Sequence, residues 1–327
     1  MKLASFLLLC AGTALFGYLI ADQGIASVLD AAAAAGWGVL VVALFHFVPM
    51  LGDTFAWLTM MSPSHRLGLP SAFRIRWIGE SVNNLLPAAP VSGDLVRTRL
   101  AMFGGMSGPA AGASVTADLT FGALSQVVFS LLGVGALLYL GANFGNAIVA
   151  AISVGLVVVG ALIGIFLVLQ NFGLFRYLAD RLVGVARGRA WLDLVGGAER
   201  MDGELTALYR RRGGVAWSLF WRLAAWLAGT GEIWLGMYFL GHPIGLIEAI
   251  MVESVIQAIR AAAFAIPGGL GVQEAGFVLL GSFIGIGPDI SLALALIRRA
   301  RELLFGVPGL IVWQIQEGHR ILKRDRG

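Results

Sequence analysis

Charge is what this sequence has least of. Only 13% of its 327 residues are Asp, Glu, Lys or Arg, against roughly 25% in an ordinary soluble domain. So little charge cannot keep an apolar majority of 58% in water as a soluble fold. Cysteine is nearly missing too: Cys10 stands alone, which excludes an internal disulfide and a cysteine-based metal site and leaves packing as its role. The four histidines are scattered without metal-ligand spacing. There is no glycine-rich phosphate loop, nucleophile elbow or metalloprotease helix, so no catalytic residue, metal or cofactor is expected. Ten-residue alternating segments, which a membrane barrel needs, are also lacking. No linker or composition shift marks a second domain, and residues 1–327 read as one membrane domain.

The apolar residues arrive in blocks of about 20, enough to cross a hydrocarbon core of roughly 30 Å as a helix. Full spans are predicted at residues 3–21, 37–61, 109–140, 147–169, 215–240 and 290–316. The third is long enough to be tilted or broken near Gly122. The first resembles a signal peptide, with Lys2 before an apolar run. No small-x-small site precedes Asp22, however, and Leu9 stands where a lipobox needs a small residue, so a retained helix is expected. Two further apolar stretches, 73–105 and 247–287, are interrupted by Pro and Gly. Gly160-x-x-x-Gly164 and Gly281-x-x-x-Gly285 read as helix packing.

Basic residues set the orientation. The connections 22–36, 141–146, 241–245 and 287–289 contain no Lys or Arg. Lys2, Arg66, Arg74, Arg76, Arg97, Arg99, eight Arg within 171–214, and Arg320, Lys323, Arg324 and Arg326 fall on the other side. Both termini are therefore expected to be cytoplasmic. This works only if each interrupted stretch enters and leaves on the same side, as a re-entrant hairpin. The expected fold is an all-α integral membrane protein with about six full spans plus two re-entrant hairpins, 73–105 and 247–287. Segment 171–214 reads as amphipathic helices on anionic headgroups. Its basic excess is that of a cytoplasmic loop, so nucleic acid is not an expected partner.

Set side by side, the interruptions read Leu86-Pro-Ala-Ala-Pro-Val-Ser-Gly-Asp94 and Ile266-Pro-Gly-Gly-Leu-Gly-Val-Gln-Glu274. In each, an acid stands seven residues after the first Pro, and Pro87 and Pro267 are 180 residues apart. Backbone that cannot bond i to i−4 survives at membrane depth only inside protein or beside a wet cavity. Two such segments from opposite sides are the mark of an inverted-repeat transporter whose site lies where the tips meet. Polar stripes precede both turns: Arg76, Glu80 and Asn84, then Glu253, Gln257 and Arg260, each on one helix face. Asp94 and Glu274 open helical segments, as caps, as ligand-facing acids, or as both.

Five Arg do not sit in cytoplasmic connections: Arg222, Arg260, Arg298, Arg299 and Arg301. An unpaired charge in the hydrocarbon centre costs at least about 2.5 kcal/mol on insertion scales, so these should face protein or water. Arg298 and Glu302, four apart, can pair, with Arg301 adjoining and Arg299 pointing elsewhere. A surplus of Arg suits a phosphate or carboxylate headgroup, and ion pairs that lock helices together are the alternative. His46 and Asp53, seven apart, can be drawn as a proton relay, with a packed histidine the preferred reading.

The run Glu80-Ser-Val-Asn-Asn-Leu-Leu-Pro-Ala-Ala-Pro-Val-Ser-Gly-Asp-Leu-Val-Arg97, with Ile266-Pro-Gly-Gly-Leu-Gly-Val-Gln-Glu-Ala-Gly276, resembles the flippase-like transmembrane region of lysylphosphatidylglycerol synthases. Leu294-Ala-Leu-Ile-Arg-Arg-Ala-Arg-Glu-Leu-Leu-Phe-Gly-Val-Pro-Gly-Leu310, then Trp313-Gln, is similar to hopanoid-biosynthesis-associated membrane proteins of HpnL type. The resemblance implies a multi-pass inner-membrane protein that moves or handles a lipid. The soluble aminoacyl-transfer domain of the wider family would follow the last span, and the sequence ends soon after it at Gly327, so lysyl transfer is not expected. By the family motifs Asn83, Pro87, Gly93, Asp94, Arg97, Pro267, Gly268, Gly269, Gly271 and Glu274 carry over as substrate-binding residues. Ala88 and Ala89 depart from it where Gly would free the turn. Asn84, Arg260, Arg298, Arg301 and Glu302 join the candidates from the polar stripes and the Arg cluster. The leading expectation is a transporter or flippase for a hopanoid or anionic phospholipid headgroup. A non-catalytic partner of hopanoid enzymes and a headgroup-modifying enzyme are the alternatives.

Overall fold

The computed structural model describes residues 30, 33, 35–62, 66–86, 92–140, 189–263, 266 and 269–324. The expected spans at 3–21 and 147–169, Cys10, residues 171–188, the Gly160 motif and the turn residues Pro87, Pro267 and Gly268 lie outside them. Among the described residues every regular element of more than one turn is an α-helix. In chain order these are α1 (Gly38–Phe45), α2 (Phe47–Thr59), α3 (Leu69–Leu85), α4 (Ser92–Phe103), α5 (Gly108–Tyr139), α6 (Arg189–Arg210), α7 (Arg212–Phe239), α8 (Leu246–Ala262), α9 (Val272–Phe283) and α10 (Pro288–Arg324).

Local sequence explains where they begin. Ser107 caps α5 by accepting from the Ala110 amide at 3.3 Å, and Pro109 sits in the first turn, where its missing N–H is no loss. Pro70 has the same place in α3. Gly271, at φ +76°, turns the chain into α9, and the Glu274 carboxylate accepts from its amide at 2.7 Å. That bond satisfies an otherwise unpaired N–H at the helix start.

Gly38–Thr59, which spans α1 and α2, and α5 are long and apolar enough to cross a membrane by length and composition. α5 has 32 residues, about 48 Å at 1.5 Å per residue, so it exceeds a hydrocarbon core and must tilt or project. It runs unbroken past Gly122, so of the two expected alternatives, tilt or break, the break is not the one found. Gly122 instead lies beside the Arg222 guanidinium, 3.4 Å from where a Cβ would stand, and admits that group to the helix surface. α7 and α10 are also of spanning length but carry ionic residues in their apolar stretches. Exposure is inverted relative to a soluble protein. Leu131, Phe220 and Ile311 are about half exposed, whereas Asp118 is 0%, Glu274 1% and Arg301 3% exposed. Apolar outer faces over a polar interior fit a lipid surround.

The helices repeat. α3 and α8 have 17 residues each, α4 and α9 have 12 each, and a long helix, α5 or α10, follows. Packing repeats with them: α3 lies against α4 and α10, and α8 lies against α9 and α5. The helices that precede the two units, α2 and α7, pack along each other. Small residues set the closest crossings. A Cβ on Gly133 of α5 would fall 1.7 Å from the Ser254 hydroxyl of α8, and one on Gly309 of α10 would fall 2.1 Å from the Ser81 hydroxyl of α3. Gly281 likewise lies against Ser291, but Gly285 has φ +75° and open space around it. The second glycine of that motif therefore serves the turn after α9, not helix packing.

Gly133→Ala should force α5 and α8 apart and cost roughly 1 to 3 kcal/mol. Gly135→Ala, with nothing within 4 Å, should be neutral or slightly stabilising. The apparent thermal unfolding midpoints of the two purified variants compare them directly.

Candidate functional site

Most of the buried charge among the described residues is gathered around a chamber of about 450 Å³, walled by α2 to α5, α7, α8 and α10, with His46 at the α1–α2 junction. One side is organised by Asp118 on α5. Its carboxylate meets Arg76 of α3 at 3.0 Å, Arg97 of α4 at 2.6 Å, and Arg222 of α7. Asp53 of α2 also takes Arg222 at 2.8 Å and Arg76 at 3.4 Å. Arg97 bonds Asp94 at 2.9 Å and lies over the Trp57 ring at 4.5 Å. Asn83 then fastens the start of α4, accepting from the Gly93 amide at 2.8 Å.

The other side is organised by α8 and α10. Arg298 grips Glu253 through two bonds of 2.5 and 3.1 Å, and Gln257 donates to the same carboxylate at 2.7 Å. Arg299 links Glu274 at 2.9 Å with Glu302 at 3.0 Å. Arg260 reaches Glu302 at 3.4 Å and donates to Asn84 of α3 at 2.9 Å. Between the two sides His46 touches Glu80 of α3 and Glu232 of α7, and Arg301 sits 3.2 Å from Glu232.

The two sides are equivalent by position. Arg76 and Glu253 each stand seven residues into α3 and α8, and Asp118 and Arg298 each stand ten residues into α5 and α10. Arg76–Asp118 and Glu253–Arg298 are thus the same helix-to-helix ion pair with its charges exchanged. Asp94 and Glu274 each stand two residues into α4 and α9.

Most sequence-predicted candidates converge here. Asn83, Asn84, Asp94, Arg97, Arg260, Arg298 and Arg301 line the chamber. Glu302 and Glu274 stand behind it as partners of Arg260 and Arg299. Gly93 packs against Gly79, whose carbonyl would lie 2.0 Å from a Cβ, while Gly269 at φ +60° and Gly271 shape the turn before α9. The pairing pattern corrects two readings. Arg298 takes Glu253 instead of Glu302, and Arg299 turns inward to Glu302 three residues on, because Glu253 already occupies the Arg298 fork. Asp53 pairs with arginines, and His46 lies between carboxylates, so they do not form a relay with each other. Arg76 and Arg97, which the charge count assigns to the cytoplasmic side, are buried in the network.

Asp118, Glu232 and Asp53 escaped the candidate set. All three were findable: each is an acid inside a predicted span, Asp53 in 37–61, Asp118 in 109–140 and Glu232 in 215–240, and an intramembrane acid is a site hypothesis by default.

Glu253→Leu should leave Arg298 buried without its partner and cost roughly 3 to 5 kcal/mol. Adding Arg298→Met should recover most of that loss. Thermal unfolding of the single and double variants measures the difference.

Compared with known families, residues 3–309 match the Lysylphosphatidylglycerol synthase TM region, and the chain therefore belongs to that family. A comparison with curated proteins finds no match. Family and fold together make this a helical membrane protein linked to lipid handling.

Proposed function

We propose that this family member is a lipid transporter of flippase type, in which the polar chamber receives a headgroup while the hydrophobic part of the lipid stays in the bilayer. The observation that carries the reading is the chamber itself. It is a charged cavity shared by two repeated helical units whose outer faces are apolar. Neither unit closes it alone, since Arg260 of α8 bonds Asn84 of α3. Alternating access by rocking one unit against the other follows naturally from such a plan.

The finer features belong to the same reading. The α3–α4 and α8–α9 units act as re-entrant hairpins from opposite sides of a bacterial inner membrane, with about six full spans and both termini cytoplasmic. The lipid is a hopanoid or an anionic phospholipid, as the HpnL-type resemblance suggests. Arg260, Glu80 and Asp53 keep about a quarter of their side-chain surface open, and Asn83 and Asn84 line the same space. These five groups meet the headgroup first. Asp118 and Glu274 are closed off and hold the frame, together with Arg301, which lines the chamber with almost no exposed surface.

The test is reconstitution into vesicles of phosphatidylethanolamine and phosphatidylglycerol carrying fluorescent phosphatidylglycerol or a labelled hopanoid. Leaflet exchange is read by chemical quenching. Protein-dependent exchange is expected, and Arg260→Gln should slow it at least about tenfold, as loss of one charge-assisted contact worth about 1.4 kcal/mol or more would. Exchange no faster than in empty vesicles, with or without an ion gradient, would sink the transport reading.

A further inference from the structure

We propose that His46, Glu80 and Glu232 form a proton-binding site whose occupancy holds the chamber closed, so that the proton is the coupling ion of the transport reading above, on which only this coupling half rests. His46 joins α1 to α2, and its Nε2 lies 2.7 Å from a Glu80 oxygen while its Nδ1 lies 2.6 Å from a Glu232 oxygen. A neutral imidazole has one donor and one acceptor nitrogen, and ionised carboxylates only accept. Two such short contacts therefore require one proton more than a neutral histidine between two carboxylates carries. Without it, one contact would set lone pair against lone pair.

The surrounding charge leads to the same proton. The network contains seven arginines, namely Arg76, Arg97, Arg222, Arg260, Arg298, Arg299 and Arg301. It contains eight carboxylates: Asp53, Glu80, Asp94, Asp118, Glu232, Glu253, Glu274 and Glu302. One added proton on the triad makes it neutral, which a low-dielectric surround favours.

Each element packed on His46 contributes to where that proton sits. α10 presents Arg301, whose Nη1 is 3.3 Å from both ring nitrogens, the Phe305 ring, perpendicular to the imidazole with centroids 4.6 Å apart, and beyond them Arg298 and Glu302. α7 presents Glu232 and Arg222, α3 presents Glu80 and Arg76, α5 presents Asp118, α8 presents Glu253 and Arg260 across the chamber, and α2 itself carries Asp53. Glu232 is already bonded to Arg301 and stays ionised. Glu80 has no arginine within ion-pair distance among the described residues, and its side chain is 26% exposed. The extra proton is thus shared between His46 Nε2 and Glu80 and can leave through the chamber. Its loss cuts the link between His46 and α3 while the link to α7 stays. That loosens α3 from the α1–α2 junction, while Arg260 still joins it to α8 through Asn84.

The full-length protein with His65, His242 and His319 replaced by Asn, ¹⁵N-labelled at histidine and held in lipid nanodiscs, reports on His46 alone. At acidic and neutral pH each ring nitrogen should be protonated or accept a hydrogen bond, with a single transition as pH rises that Glu80→Gln abolishes. A ring nitrogen free of any hydrogen bond at every pH, or no transition, overturns the site whether or not the protein moves lipid. In the vesicles described above, exchange of fluorescent phosphatidylglycerol should respond to an imposed pH gradient, and Glu80→Gln should lose that response. Exchange indifferent to the gradient in the unmodified protein overturns the coupling. Absence of all exchange defeats the transport reading and the coupling together, and leaves the proton site to be decided by the nitrogen spectra.

Discussion

Asp118 is a carboxylate with no exposed surface and the one charged residue of α5. Removing such a group from water costs several kcal/mol, and only close opposite charge and hydrogen bonds offset it. Three guanidinium groups do so, and they come from α3, α4 and α7. The need to neutralise one charge thereby fixes the mutual placement of four helices. Each arginine in turn needs its own balance, so Asp53 and Asp94 are drawn in. A network started by one buried acid grows until it is neutral or reaches water, and here it reaches the chamber.

The same constraint operates in the second unit with the signs reversed. Arg298 is the buried group on the long helix, and Glu253 on α8 is its answer. A repeat that keeps the geometry of an ion pair while exchanging its charges keeps the packing, because the two side chains fill corresponding space. It changes the field in the chamber, however, since the two walls now present opposite dipoles. His46 lies on the boundary and has no counterpart: the position 180 residues later is Trp226. The scaffold is symmetric and its chemistry is not.

The architecture was legible where it rests on local signals. Helix positions follow from apolar runs bounded by Pro and Gly, and the repeat showed in the 180-residue interval between the two proline turns. The polar stripes of α3 and α8 were visible because helical spacing puts their members on one face. The partners of Asp118 were not, since they lie 21, 42 and 104 residues away in sequence and no spacing rule connects them. The same holds for Arg298: i,i+4 spacing made Glu302 its natural partner, yet Glu253, 45 residues earlier, holds it. Local periodicity places a charge on a face, and tertiary packing decides what that face meets.

An ion-pair network of this kind suits a moving part. A cavity lined with uncompensated arginines would bind an anionic headgroup tightly and release it slowly, because differential affinity between two states is what drives a cycle. Balanced pairs differ little in energy between alternative pairings, provided no charge is left bare in the apolar surround at any point. Arg260 contacts Glu302 at only 3.4 Å while donating to Asn84 across the repeat boundary, and Arg299 divides itself between Glu274 and Glu302. Such groups can exchange partners over small displacements. A headgroup entering the chamber then replaces one partner by another, and the two units are freed to shift without any arginine losing its counter-charge.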